Sequence, residues 1–252
     1  MSVVYAKQFV QDYPPPGKIL LGSIVGSHIY GFQLKKNYID LRGIHITPIE
    51  RLIGVNPPSG TYTCERIYQN NHLNFVSRDI GKIIHGLIKG NFSYLECIMS
   101  PAQIFDTDYV KEVRLLASKS YSKLYTKHYW NFFYIQQGKA KETRSMQHTL
   151  YAFRAALSAI HFMKYQEFIS DLGFLSTTYQ LLKIQDFMIS RKKGIEIISG
   201  ESDLKERDQI FSSLCSMFKT AEENSSLPSL PPDLSVFNDY LLNIRKVLSV
   251  AR

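Results

Sequence analysis

The sequence predicts an α+β protein in which a mixed sheet with flanking helices is followed by a C-terminal helical region. Short β-branched runs separated by turns fill the chain as far as Pro101, and long segments with a helical apolar period follow. The 252 residues are 44% hydrophobic and 21% charged, which is typical of a globular protein with a sizeable core. We therefore predict two domains, residues 1–101 with the sheet and residues 102–252 with helices.

Four strands are predicted in the first domain, after a short amphipathic N-terminal piece that ends at a Pro-Pro-Pro-Gly turn. They are KILLGSIV (18–25), YIDLRGIHI (38–46), TYTCERIY (61–68) and HLNFVS (72–77). Ser77 then stands where a helix N-cap is expected, before the helical segment RDIGKIIHGLIKG. Gly90 is the residue type that commonly ends a helix.

Only helices are predicted beyond Pro101, and most of their segments show apolar residues three or four positions apart. The segments are residues 116–137, 143–165, 181–194, 202–223 with Ser202 as the cap, and 234–248. The second of them also carries a cationic and aromatic stripe at helical spacing. The stripe consists of Arg144, His148, Tyr151, Arg154, Ser158 and His161.

Positive charge is concentrated in one part of the chain. The net charge is +8, and residues 111–164 hold ten Lys or Arg against two acids, so the remaining residues balance. Such a segment predicts a surface for a polyanion such as nucleic acid or a triphosphate. A solvated basic helix face has the same composition, and the sequence leaves that alternative open.

Membrane and secreted classes are not indicated. The sequence contains no apolar run of about eighteen residues, and its N-terminus lacks the pattern of a signal peptide. Cys64, Cys97 and Cys215 are widely spaced, which favours buried thiols in a reducing compartment. We therefore expect a cytoplasmic protein without a membrane partner.

The first half contains ordered short motifs that resemble a known family. The motifs are Gly26-Ser27, Tyr30-Gly31, Asp40-Leu41-Arg42-Gly43, Lys82, Gly90-Asn91, Leu95-Glu96 and Ser100-Pro101. In order and spacing they resemble the nucleotidyltransferases of the DNA polymerase β superfamily, within it the predicted nucleotidyltransferases associated with RNA repair. The second half resembles the same family through YIQQGK, LYAFRAAL, SSLPSLPPD and LLNIRK, so that the resemblance covers nearly the whole chain.

The resemblance implies a site in which three carboxylates hold two Mg²⁺ ions. The first two lie at positions i and i+2 of one strand, where both side chains share a face, and the third lies on a neighbouring strand. Here the first position is Tyr38, preceded by Asn37 where Ser is usual. The second position keeps Asp40, and the third aligns with Asn74.

Two of the three charged ligands are therefore replaced. Mg²⁺ prefers charged oxygen ligands, and a tyrosine is neutral near pH 7. The nearby acids that could substitute are Glu65, Asp79 and Glu96, although Asp79 also suits the positive end of its helix. Asp40 could also simply pair with Arg42.

These observations favour a catalytically degenerate nucleotidyltransferase-fold protein that binds nucleotide or RNA through the inherited cleft and the basic helical face. The resemblance and the basic stripe together assign substrate binding to Gly26, Ser27, Arg42, Lys82, Asn91, Arg144, His148, Tyr151 and Arg154. Arg154 is the strongest candidate for a phosphate contact, unless it pairs with an acid such as Glu167 or Asp171. Asp40 is the remaining catalytic and metal-binding position.

Two alternatives stay open. The protein could be an active enzyme that moves NMP from an NTP to an RNA end or a protein hydroxyl, with Mg²⁺ and NTP as cofactors. It could instead be a non-catalytic subunit of a protein complex, with no cofactor and with the helical half as its interaction surface.

Overall fold

The computed structural model describes residues 2–33, 38–231 and 233–250. The strands are β1 (Lys18–Val25), β2 (Tyr38–Ile46), β3 (Thr61–Tyr68), β4 (Asn71–Asp79) and β5 (Gln103–Asp106). The helices are α1 (Ser2–Asp12), α2 (Ile49–Leu52), α3 (Ile80–Ile88), α4 (Phe92–Met99), α5 (Tyr109–Lys119), α6 (Lys123–Thr143), α7 (Met146–Tyr165), α8 (Leu172–Thr178), α9 (Lys183–Lys192), α10 (Glu201–Glu223) and α11 (Ser235–Val250). Asn37 lies outside the described residues.

The five strands form one mixed sheet in the order β3-β4-β2-β1-β5. β2 and β4 run parallel, and every other neighbouring pair is antiparallel. This architecture, with flanking helices and helices after the sheet, confirms the predicted α+β class. None of the described helices is long and apolar enough to cross a membrane.

The chain divides into two units. The sheet unit consists of Met1–Gly26, Asn37–Ser120 and Leu230–Arg252, and the helical unit consists of Ser27–Lys36 and Tyr121–Ser229. The sheet unit thus extends beyond Pro101 and includes the last helix, α11.

The sheet unit has an apolar core on one face of the sheet. Ile39 and Leu41 of β2 lie there with Leu73 and Phe75 of β4, and Phe9 of α1 packs against the same cluster. Because successive strand side chains point to opposite faces, residues 38, 40, 72 and 74 project from the other face. The alternation that builds the core therefore also assembles the polar face.

The helical unit is built around α7. Fifteen of its twenty residues are buried, and it packs on α6, α8, α9 and α10. Ser145 caps the helix through its Oγ, which accepts a hydrogen bond from the amide of His148 at 3.4 Å. A helix surrounded on most sides must bury polar positions as well as apolar ones. For this reason three residues of the predicted stripe, Arg154, Ser158 and His161, are buried.

Several predicted boundaries are wrong in the structure. Ser77 is a buried residue of β4 whose Oγ lies 2.8 Å from Nδ1 of His45, and the N-cap of α3 is Asp79. The segment 116–137 is not one helix, because α5 ends and α6 begins around residues 120–122. Ser202 lies inside α10, whose N-cap position is Gly200. The short edge strand β5 follows Pro101, where only helices were predicted.

Candidate functional site

A row of polar residues crosses three strands on the face opposite the core. Asp40 of β2 pairs with Asn74 of β4, and Asn74 pairs with Glu65 of β3. Two residues earlier on the same strands, Tyr38 pairs with His72. The structure therefore brings together Tyr38, Asp40 and Asn74, the three positions that the resemblance assigns to metal-binding carboxylates.

Asp40 is held by its neighbours rather than left open. Nδ2 of Asn74 donates a hydrogen bond to Oδ1 of Asp40 at 3.1 Å. Nη2 of Arg42 lies 3.9 Å from the same oxygen, while Nη1 of Arg42 donates to the carbonyl of Leu41 at 2.9 Å. An amide donor and a guanidinium together supply the positive potential that this carboxylate requires.

Tyr38 forms an aromatic pair at the rim of this row. Its ring stacks on His72 with 4.8 Å between centroids and 16° between planes. Partial burial and the charge of Asp40 raise the pKa of Tyr38, although a hydrogen bond with Asn74 lowers it in part. Nε2 of His72 lies 3.3 Å from Oε1 of Glu65, so that Glu65 already has a cationic partner when His72 is protonated.

Gly26 approaches the same carboxylate from the end of β1. It has a φ of +75°, and a Cβ placed on it would lie 3.2 Å from Oδ2 of Asp40. The short 3₁₀ turn Gly26–His28 follows, and with Ser27 the chain enters the helical unit. Glycine is favoured at this position because the positive φ is one that residues with a Cβ rarely adopt.

The described residues do not fit a pair of Mg²⁺ ions. Hard divalent ions require several charged oxygens, whereas positions 38, 40 and 74 offer one carboxylate, a neutral phenol and an amide whose nitrogen faces that carboxylate. The remaining carboxylate of the row, that of Glu65, lies 3.3 Å from Nε2 of His72. No group of three His, Cys, Asp or Glu within the described ranges is arranged to hold a metal. Asp79 is committed elsewhere, because it accepts hydrogen bonds from the amides of Thr47 and Gly81.

Two further predicted binding residues lie away from this row. Nζ of Lys82 donates to Oγ1 of Thr61 at 3.1 Å, and Thr61 pairs with Arg78, four residues or about 13 Å along β4 from Asn74. Asn91 is the N-cap of α4, where its Oδ1 accepts a hydrogen bond from the amide of Ser93 at 3.1 Å. Both side chains have structural partners in the sheet unit.

The stripe of α7 lies largely inside the helical unit. Arg154 is 1% exposed, and its guanidinium lies 4.0 Å from the centre of the Tyr30 ring and 5.9 Å from that of Tyr129. Tyr151 packs edge-on against Tyr30 and Phe32. A phosphate could reach Arg154 only after rearrangement of these rings.

The two ends of the stripe differ from its middle. Nδ1 of His148 lies 2.7 Å from Oε1 of Gln136, and burial lowers the pKa of His148. Arg144 ends α6 in a left-handed conformation, is exposed, and lies 3.9 Å from Glu201. Of the acids considered as partners for Arg154, Glu167 lies 3.6 Å from His161, and Asp171 caps α8.

Sequence reasoning missed the pair of Tyr38 and His72 and the position of Glu65 at the end of the row. The alternation of β4 did contain a signal for His72, which lies two residues before Asn74 and so shares its face. The antiparallel register of β3 with β4, which brings Glu65 opposite Asn74, is set by the two-residue turn Gln69-Asn70, both of whose residues have positive φ.

Comparisons with known proteins agree with the sequence motifs. A model of the RNA repair pathway DNA polymerase beta family (RlaP) matches residues 4–243. An uncharacterized protein of Methanocaldococcus jannaschii is 30% identical over 158 residues, which are 60% of this chain and 62% of that protein. The match thus spans less than two thirds of that relative's length.

One solved structure shows a weaker likeness. The crystal structure of a nucleotidyltransferase-like protein from Exiguobacterium sibiricum 255-15 aligns with 98% of this chain and 80% of its own, at 10% identity and a TM-score of 0.35. A TM-score of 0.35 at 10% identity supports no conclusion about activity.

Proposed function

The chain belongs to the RNA repair pathway DNA polymerase beta family, and from that premise we propose that it is a nucleotidyltransferase-fold protein that binds RNA or a nucleotide without metal-dependent catalysis. The observation that carries the proposal is the hydrogen bond of 3.1 Å from Asn74 to Asp40. An amide stands where the family places a carboxylate, and it stabilises the charge that a metal ion would otherwise balance.

The electrostatics of the row support the loss of catalysis. Three carboxylates close together repel one another, and bound cations relieve that repulsion. Here Asp40 accepts a hydrogen bond from Asn74 and lies near the guanidinium of Arg42, while the other acid of the row, Glu65, lies beside His72. Both carboxylates therefore have partners among the protein's own side chains. Tyr38 could become a charged ligand only by ionising, and burial and Asp40 both oppose its ionisation.

Binding of RNA is supported by the distribution of charge and by the family. The excess of +8 lies within residues 111–164. Within the helical unit the exposed lysines of that segment are Lys164 of α7 and, on α6, Lys127, Lys139 and Lys141. A polyanion attracted to this helix would need no metal ion for its affinity.

One observation favours the alternative of an active enzyme. Glu65 ends the row that contains Asn74 and Asp40, so it is the acid placed to act as a second ligand. Its ion pair with His72 competes with that role, and the loss of the pair would release the carboxylate. The two functions are separated by measuring metal binding and nucleotidyl transfer together.

The test is calorimetry with Mg²⁺ and Mn²⁺, combined with incubation of labelled NTPs and RNA. We expect weak metal binding, no transfer to RNA, and RNA binding that weakens with salt. The double substitution Tyr38→Asp with Asn74→Asp should restore metal affinity, because it places carboxylates at all three positions 38, 40 and 74. Tight metal binding that is lost in Asp40→Ala or Glu65→Gln, accompanied by transfer, would establish the active enzyme instead.

A further inference from the structure

A groove in the helical unit lies between α6 and α10 and has a volume of about 410 Å³. The two helices run antiparallel, since Phe211 packs against Phe133 and Phe218 packs against Trp130, which precedes Phe133. Ligand pockets commonly enclose about 300–1,000 Å³, so this groove has room for a ligand of about the size of one nucleotide.

The groove has a rigid aromatic wall and an accessible ring. Trp130 stacks on Phe218 with 3.7 Å between centroids and on Phe133 with 4.5 Å, and both pairs are nearly parallel. Tyr134 meets Trp130 at 71° with 5.2 Å between centroids and is 51% exposed. A flat ligand could therefore stack on Tyr134 while its edge contacts the fixed indole.

Lysines lie on both sides of this aromatic corner. Lys127 of α6 and Lys219 of α10 line the groove, with Glu222 as the acid among its lining residues. Cys215 lies in the groove as well, and burial raises the pKa of its thiol while the nearby charge of Lys141 lowers it in part. Two lysines, one from each helix, thus line the groove beside the exposed ring of Tyr134.

We propose that this groove binds single-stranded RNA, with a base stacked on Tyr134 beside Trp130 and the flanking phosphates held by Lys127 and Lys219. Aromatic faces that alternate with basic side chains are how proteins bind single strands without reading sequence. The excess of positive charge in residues 111–164, which include Lys127, favours a polyanion over a protein segment as the occupant. The inference rests on the proposed function and assigns the RNA-binding site to this groove.

Two residues of the groove can be used to detect binding of a ligand there. Trp130 is the single tryptophan of the chain, so its fluorescence reports this site. Cys215 is half-buried, whereas Cys64 and Cys97 are buried, so a mild alkylating reagent should modify Cys215 first. A short single-stranded RNA should change the fluorescence of Trp130 and slow the alkylation of Cys215.

The affinity of full-chain variants for the same RNA is then measured at several salt concentrations. Lys127→Ala with Lys219→Ala should reduce the slope of log affinity against log salt by about 1.4, since each single-strand phosphate contact contributes roughly 0.7. Lys192→Ala with Lys193→Ala removes the same charge from exposed positions at the end of α9 and should leave the slope unchanged. Tyr134→Ala should weaken binding roughly tenfold without altering the slope.

The outcomes separate the inference from the proposed function. RNA binding that leaves Trp130 and Cys215 unaffected, with equal affinity in the groove and control variants, would overturn the groove while the proposed function stands. No RNA binding by the unmodified protein would overturn the groove and the RNA-binding part of the proposed function. If an acidic peptide quenches Trp130 and RNA does not, the groove binds protein and the inference is wrong. Circular dichroism of each variant shows whether it remains folded.

Discussion

The amide at position 74 determines what Asp40 requires from its surroundings. A carboxylate beside Asp40 would repel it, whereas the amide of Asn74 donates a hydrogen bond of 3.1 Å to it. Hydrogen bonds to charged groups contribute about 1.5–3 kcal/mol, so the substitution turns a repulsive contact into a stabilising one. A site that needs a cation to be stable thereby becomes one that is stable without it.

This argument predicts the behaviour of Asn74→Asp. In a chelating buffer the variant should lose about 1–2 kcal/mol of unfolding free energy, because it exchanges the hydrogen bond for like-charge repulsion. Mg²⁺ or Mn²⁺ should restore part of that loss, since two carboxylates bind a divalent ion better than one. Chemical denaturation with and without metal measures both effects.

Asn74→Ala is the matched control for that experiment. It removes the hydrogen bond without adding charge, so it should lose stability by a similar amount and show no recovery with metal. Equal responses of the two variants to metal would contradict the electrostatic account of the row.

At the scale of helices and strands, local patterns in the sequence identified most of the sheet. β1, β2 and β3 have the predicted bounds, because their β-branched runs are flanked by turn residues. β5 was missed because its four residues are too short for a periodic pattern, and it is defined by its pairing with β1. The N-cap of α3 was misplaced because Ser77 and Asp79 are both good caps, and the burial of Ser77 in the sheet decides between them.

The helices show where periodicity stops being informative. The stripe of α7 has the spacing of an exposed cationic face, yet the helix is surrounded by four others, so Arg154 and His161 are buried. Asp40 and Asn74 were assigned by resemblance, and the parallel pairing of β2 with β4 places them side by side. Lys82 and Asn91 were assigned by resemblance alone, and their structural contacts within α3 and α4 could not be read from spacing.

Asp79 connects four elements, and this leads to a prediction about Arg245→Ala. The carboxylate of Asp79 caps α3 and forms an ion pair with Arg245 of α11. It also accepts a hydrogen bond from the backbone amide of Thr47, which follows β2. Removing one partner of a buried ion pair costs about 3 kcal/mol, so Arg245→Ala should reduce the unfolding free energy by about that amount at pH 7. Lys246→Ala, at the neighbouring exposed position, should change it by less than about 0.5 kcal/mol.

The pH dependence of this effect has a definite sign. Burial acts to raise the pKa of Asp79, but the hydrogen bonds from Thr47, Gly81 and Arg245 lower it overall. A carboxyl group with a lowered pKa stabilises the fold above its unfolded value of about 4 and loses that contribution as the pH falls through its folded value. The difference between wild type and Arg245→Ala should therefore be full at neutral pH and shrink below about pH 4. A difference that is independent of pH would contradict the role of the ion pair.

At the scale of the whole molecule, the chain leaves the sheet unit twice and returns twice. The first excursion is short, but it contributes side chains to the interior of the helical unit. Phe32 packs against Tyr151, Tyr30 lies over Arg154, and the carbonyl of Tyr30 accepts a hydrogen bond from the amide of Leu172 at 3.1 Å. Tyr30 and Phe32, which lie between β1 and β2 in the sequence, are therefore part of the folded core of the helical unit.

This connectivity predicts that residues 121–229 alone form an incomplete unit. A fragment of these residues should melt at a higher temperature when a peptide of residues 27–33 is added, because Tyr30 and Phe32 then fill the space beside Arg154 and Tyr151. At saturating peptide we expect an increase of about ten degrees by circular dichroism, since tight binding to the folded form alone raises its stability by a few kcal/mol. The same peptide with Tyr30→Ser and Phe32→Ser should have no effect. If the fragment melts at the same temperature with and without the native peptide, these two aromatic side chains are not needed for the stability of the helical unit.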